Sequence, residues 1–156
     1  MLGQLTDKQI DHVLYSQIIG RIGCYSEGEM YIVPVTYVCD KGYIYAHSKE
    51  GLKVQMMRNN PNVCFQVDSM ENMTNWRSVI LWGEYEELTT EKEQKAGMKI
   101  MVDRLTPFLT SEAVRPSLGP SHPPHFIEKG YKAVVYRIRI VKRTGRYEKT
   151  TISDIN

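Results

Sequence analysis

Residues 18–48 read "IIGRIGCYSEGEMYIVPVTYVCDKGYIYAHS". Its apolar runs are of strand length. Two short polar interruptions, Glu27-Gly28 and Asp40-Lys41-Gly42, carry the glycine that tight hairpin connections use. The stretch therefore predicts three consecutive strands. Pro34, inside the second, has no N–H to donate to a ladder, so that strand is expected at a sheet edge or broken by a bulge.

On the N-terminal side, "TDKQIDHVLYSQ" places Thr6 as an N-cap with Gln9 three residues on, a capping-box pattern. Ile10, Val13 and Leu14 then mark the apolar face of a short helix. On the C-terminal side, residues 49–59 read as a helix capped by Ser48 and stopped by "NNP", since the residue before Pro61 is pushed out of helical space. "NVCFQVD" and "SVILWGEYEEL" are two further strands. "TTEKEQKAGMKIMVDRL" is an amphipathic helix capped by Thr89 or Thr90, with Met98, Met101, Val102 and Leu105 on its apolar face. Residues 106–131 hold five of the seven prolines and show no clean period, which predicts a long loop of the kind that often binds or covers ligands. "AVVYRIRIVKRTGRYEK" closes the fold as a long strand. Six strands and few helices predict an antiparallel barrel with peripheral helices, mainly β, in one domain over residues 1–156.

Composition narrows the function classes. Net charge is +2 with both signs interspersed, which argues against a nucleic-acid or membrane surface. Cys24, Cys39 and Cys64 form an odd set without a C-x-x-C pair, each in an apolar run, and are expected as buried, reduced thiols. The opening "MLGQLTDKQID" lacks a basic and an apolar leader region, and no apolar run approaches the ~20 residues of a membrane span; a cytoplasmic protein is expected.

The junction "YAHSKEGLK", residues 45–53, is the chemically richest stretch. A helix start after Ser48 offers backbone N–H groups and the positive end of a dipole. Gly51 lets a ligand approach the backbone. Lys53 leans back toward the N-terminus of its helix, so its ammonium reaches the same volume. A hydroxyl, backbone donors and a cation together suit a terminal phosphate. The same residues also serve an ordinary helix start, with Ser48 as cap, Gly51 relaxing a turn and Lys53 in solvent. On these residues alone both readings stand.

The succession "RIGCYSEGEMYIVPVTYVCDKGYIYAHSKEGLKVQMMRNNPNVCFQVD" resembles the flavin-nucleotide-binding branch of the pyridoxamine 5'-phosphate oxidase-like split barrels, a branch that includes 5-nitroimidazole resistance proteins. A P-V-x-Y strand, an H-S-x-x-G-x-K junction and an "NPxVCFxVD" strand recur there in this order. The likeness runs from about Gly20 to Gly145 and takes in "SVILWGEYEEL" and "YRIRIVKRTGR". It implies a six-stranded antiparallel split barrel that forms a homodimer with flavin in clefts at the subunit interface. By the same likeness His47, Ser48, Gly51, Leu52 and Lys53 surround the flavin phosphate, and Pro34, Val35, Thr36 and Tyr37 present backbone and side chains to the ring. The implied cofactor is FMN, with FAD as the alternative. The implied activity is an oxidoreductase acting on nitroaromatic or other small acceptors; a flavin-storing or haem-binding barrel without turnover is the alternative. Pyridoxamine 5'-phosphate oxidation proper is the less favoured reading, because the closing "GRYEKTTISDIN" has no histidine where the true oxidases carry an arginine- and histidine-bearing segment.

Other candidates are weaker. "HPPH" at His122 to His125 offers too few ligands for a structural zinc site, and no metal site is expected. Arg137 and Arg139 share one face of the last strand, expected to be solvated or interfacial. Trp82 shares a face with Ile80 and is expected to pack in the barrel core, with the dimer mate as the alternative. Nothing resembles a Ser-His-Asp set, G-x-S-x-G, a P-loop or H-E-x-x-H. Redox chemistry carried by a flavin needs no such nucleophile.

Overall fold

The structure, a computed structural model, describes residues 1–109 and 133–150. Its elements in order are β1 (Leu2–Gln4), α1 (Asp7–Ser16), β2 (Ile19–Ser26), β3 (Glu29–Thr36), β4 (Val38–Asp40), β5 (Tyr43–Ser48), α2 (Leu52–Asn59), β6 (Asn62–Asn72), β7 (Asn75–Glu87), α3 (Glu91–Leu109) and β8 (Val134–Lys149). The strands form one antiparallel sheet in the order β3-β2-β6-β7-β8-β5-β4, with β1 added along β8. The sheet curls into a split barrel whose two edges, β3 and β4, are consecutive in the chain.

Local chemistry explains the elements. The Thr6 capping box forms in full: Gln9 N–H donates to Thr6 Oγ1 and Thr6 N–H donates to Gln9 Oε1. Thr90 and Glu93 repeat that exchange at the start of α3. Both predicted hairpins turn through left-handed backbone, with φ of 51° and 82° at Glu27 and Gly28 and of 45° and 82° at Lys41 and Gly42. Pro34 stands on β3, an edge strand paired with β2 alone, where its missing donor interrupts no second ladder.

Inside the barrel, alternate residues of each strand point inward, among them Ile22, Phe65, Val67, Leu81, Ile44, Tyr136 and Ile138. Helices α1 and α2 pack Ile10, Val13 and Leu14, and Val54, Met56 and Met57, onto the same core. The opposite face of β5 and β8 is not left to solvent. Tyr45 and Val135 bury there against Met101 and Leu105 of α3 in a second cluster. Among the described residues, no helix is long and apolar enough to cross a membrane.

Several expectations are corrected. Residues 18–48 form four strands, not three, because the chain breaks at Tyr37. That side chain turns into the core, its Oη donating to the Leu14 carbonyl at 2.8 Å and its N–H to the Ile18 carbonyl at 3.0 Å. With β1 the sheet has eight strands in place of six. Helix α2 begins at Leu52; Ser48 is the last residue of β5, opposite Val134, and does not cap. Helix α3 runs on to Leu109 with Pro107 inside it, so residues 106–109 are helical rather than loop. The remainder of that expected loop, with His122 and His125, lies outside the described residues. Cys64 is exposed, not buried, because its strand turns it to the outer face, over Gly23. Trp82 and Ile80 do share a face, but it is the outer one, and each is 39% exposed. Arg137 and Arg139 pair with Glu86 and Glu84 at 2.7 Å each, and Arg137 also covers the Tyr43 ring.

Candidate functional site

Strand β5 delivers His47 and Ser48 to one end of the barrel through its ladder with β8, where His47 faces Val135. The chain then turns through Lys49, Glu50 and Gly51 into α2, which packs on β2. Gly51 is the N-cap residue of α2. Its backbone is fully extended, so glycine is not demanded there by conformation, and having no side chain it leaves the first-turn N–H groups without a side-chain cap. The Ser48 hydroxyl donates to the Lys49 carbonyl at 3.1 Å instead. An uncapped helix start is a set of donors for an anion.

Lys53, in the first turn of α2, is half-buried and has no carboxylate or hydrogen-bond partner among the described residues. Burial lowers its pKa below the ordinary lysine value. Its charge is felt by two neighbours. His47 is held below its usual pKa by burial and then by Lys53. The Cys24 thiol is pushed up to about 11 by burial and by Cys64, with Lys53 opposing them. Lys53 thus lies near enough to His47 and to Cys24 to act on the charge of each, in surroundings that penalise uncompensated positive charge. An anion placed there would relieve that penalty.

The residues of the β3–β4 break are placed as follows. Strand β4 pairs Val38 with Tyr45, which sets Thr36 and Tyr37 toward the His47 end of β5. Pro34 and Thr36 are exposed; Val35 and Tyr37 are buried, with the Tyr37 hydroxyl and N–H both engaged within the chain. Only Pro34 and Thr36 therefore offer side chains to a ligand at this edge. Leu52 is 51% exposed at the start of α2. Among the described residues, no group of three histidine, cysteine or acidic side chains could hold a metal ion.

Sequence reasoning missed Cys24 as a neighbour of Lys53. The alternation of Ile22 and Cys24 gives its inward direction, but the contact depends on how α2 packs across β2. It also missed Tyr136, fully buried opposite Ala46, whose Oη has no hydrogen-bond partner among the described residues. Burial raises the pKa of this phenol. Removing an unsatisfied buried hydroxyl is neutral or stabilising, whereas removing a bonded one costs about 1 kcal/mol. Tyr136→Phe is therefore expected to keep or raise the melting temperature; a fall of several degrees would show that the hydroxyl is bonded.

A second surface feature lies on the outside of the barrel. Met30, Ile32 and Val141 are 84%, 71% and 60% exposed and border a groove of about 430 Å³ lined also by Cys64 and Trp82. The register shift between Trp82 and Gly83 leaves Val141 as the extra residue of β8 and turns it outward. Strand β3 is exposed along most of its length, on both faces.

The chain matches the family profile described as Pyridoxamine 5'-phosphate oxidase over residues 6–147. An uncharacterized protein of Rhizobium meliloti (strain 1021) is 36% identical over 70 residues, which make up 45% of this chain and 46% of that protein, so the match spans about half of that relative's length. A crystal structure of a FAD-binding protein from Mesorhizobium loti superposes with a TM-score of 0.74 at 28% identity, covering 96% of this chain and 99% of that one. A Bacteroides thetaiotaomicron structure, classed provisionally as a 5-nitroimidazole antibiotic resistance protein, superposes with a TM-score of 0.70 over 94% of this chain and 87% of its own. At 18% identity that last likeness is one of fold.

Proposed function

The chain belongs to the pyridoxamine 5'-phosphate oxidase family, and from that premise we propose that it is a flavin-nucleotide-binding oxidoreductase acting on small acceptors, nitroaromatic compounds among them. The observation that carries this reading is Lys53: a half-buried cation without a counter-ion among the described residues, near His47 and an uncapped helix start. FMN fits those donors through its phosphate. The Mesorhizobium loti relative binds FAD, which makes FAD the alternative occupant.

A bound flavin would supply the redox chemistry. In this reading the protein binds and orients it. Lys53, the N–H groups of Leu52 and Lys53, and His47 and Ser48 hold the phosphate end. Pro34 and Thr36, with the backbone from Val35 to Tyr37, border the ring. Burial and Lys53 disfavour the protonated form of His47, and a dianion beside it would favour that form and so add a second cationic donor. The active unit in this proposal is a homodimer whose subunits meet on the exposed apolar face of β3, β2 and β7, with a flavin in each cleft.

Titration with FMN, FAD and riboflavin, followed by flavin fluorescence, tests the binding half: FMN should bind more tightly than riboflavin. Turnover is tested by anaerobic reduction with NADH or NADPH and reoxidation by a nitroimidazole. Flavin that is bound but never reduced and reoxidised in this way would leave the storage reading in its place.

A further inference from the structure

We propose that Arg58 is a positioning residue for the phosphate turn, an inference that rests on residues 47–53 being the place where a flavin phosphate docks. Arg58 lies in the last turn of α2 and reaches back along the helix to the turn that precedes it. Its Nη1 and Nη2 donate to the two carboxylate oxygens of Glu50 at 2.9 and 2.7 Å. Its Nε donates to Glu87 at the end of β7, at 2.9 Å. Glu87 is anchored in turn by the hydroxyl of Tyr85, which donates to it at 2.8 Å from a buried ring packed against Tyr136. A continuous chain of polar contacts thus runs from the barrel core, through Glu87 and Arg58, to the residue immediately before Gly51.

That chain does two things for an anion at the start of α2. It fixes the turn, because a planar guanidinium bonded to both oxygens of a carboxylate holds its direction as well as its distance. It also neutralises Glu50, the one acidic residue between His47 and Lys53, whose charge would otherwise oppose a phosphate next door. Fold stability depends little on the pair: the Arg58 and Glu50 side chains are 40% and 51% exposed, and such pairs contribute little to folding in water. The two effects therefore separate in an experiment.

Binding of FMN and riboflavin is measured for wild type, Arg58→Ala, Arg58→Lys, Glu50→Gln and the Arg58→Ala/Glu50→Gln double variant, with thermal melts alongside. Arg58→Ala is expected to weaken FMN about five- to tenfold, through a turn less firmly held and acidic charge less fully neutralised near a partly solvated phosphate, and to leave riboflavin within about twofold. Arg58→Lys keeps the charge without the two-pronged grip and should fall between. Glu50→Gln removes the opposing charge but also breaks the two-pronged grip, so it should weaken FMN less than Arg58→Ala does, and the double variant should recover only the electrostatic part of the Arg58→Ala loss. Equal losses of FMN and riboflavin, no loss of either, or a double variant restored fully to wild-type FMN binding would overturn the positioning role. Should Arg58→Ala fail to fold, Arg58→Lys and Glu50→Gln decide by the same FMN-to-riboflavin ratio. If wild type itself does not prefer FMN to riboflavin, the phosphate reading falls, whatever Arg58 does.

Discussion

Lys53→Ala is expected to weaken FMN binding about ten- to hundredfold while riboflavin binds both proteins alike. Losing a charge-assisted hydrogen bond to a phosphate is worth roughly 1.5–3 kcal/mol, which converts to that range in dissociation constant. The fold should tolerate the change. Lys53 has no partner among the described residues, so alanine strands no opposite charge, and removing the ammonium relieves the burial that lowers its pKa. The melting temperature of the ligand-free protein should hold or rise. Riboflavin is the control that separates a phosphate contact from general damage. Equal loss of both ligands would make Lys53 structural; no loss of either would make it a bystander.

Ile32→Glu should convert the proposed dimer to monomer at micromolar concentration. Ile32 is 71% exposed on an edge strand with Met30 beside it on the same face. In a monomer such a strand is an open invitation to pairing. A second copy of the chain would cover it, and a carboxylate introduced on each copy would have to be desolvated at the contact. That penalty is several kcal/mol, enough to raise the dimer dissociation constant at least about a hundredfold. The monomer's own fold should be untouched, because the side chain packs against little within it. Light scattering reads the mass, and flavin content should fall with it if, as proposed, both subunits form the cleft. A variant that stays dimeric would move the interface elsewhere, and a monomeric wild type would remove the dimer altogether.

Where the chemistry is local, the sequence was readable. The Thr6 capping box and the two hairpins depend on neighbours within three residues, and each forms as read. Pro34 announced an edge strand because a missing donor has the same consequence in any fold. Tyr37 shows where such reading ends: between Val35 and Cys39 no glycine or other turn residue marks the break, and only the depth of the core and the Leu14 carbonyl explain why the ring turns inward. Ser48 fails for the opposite reason. Its position suits a cap, but the ladder with β8 extends β5 through it and delays the helix to Leu52. The alternation put Ile80 and Trp82 on one face without saying which face that was. At the candidate site, Lys53 and His47 were legible as polar residues at one junction. Cys24 and Glu87 were not, since both come from strands brought there by packing, Glu87 lying 29 residues from Arg58.

The flavin content of the protein as purified tests the central claim most directly. The account predicts a yellow protein with flavin absorbance bands, releasing about one flavin nucleotide per subunit on denaturation, with mass spectrometry of the released cofactor deciding between FMN and FAD. Colourless protein that takes up neither FMN nor FAD when they are added, or protein that shows a haem Soret band in their place, would contradict it.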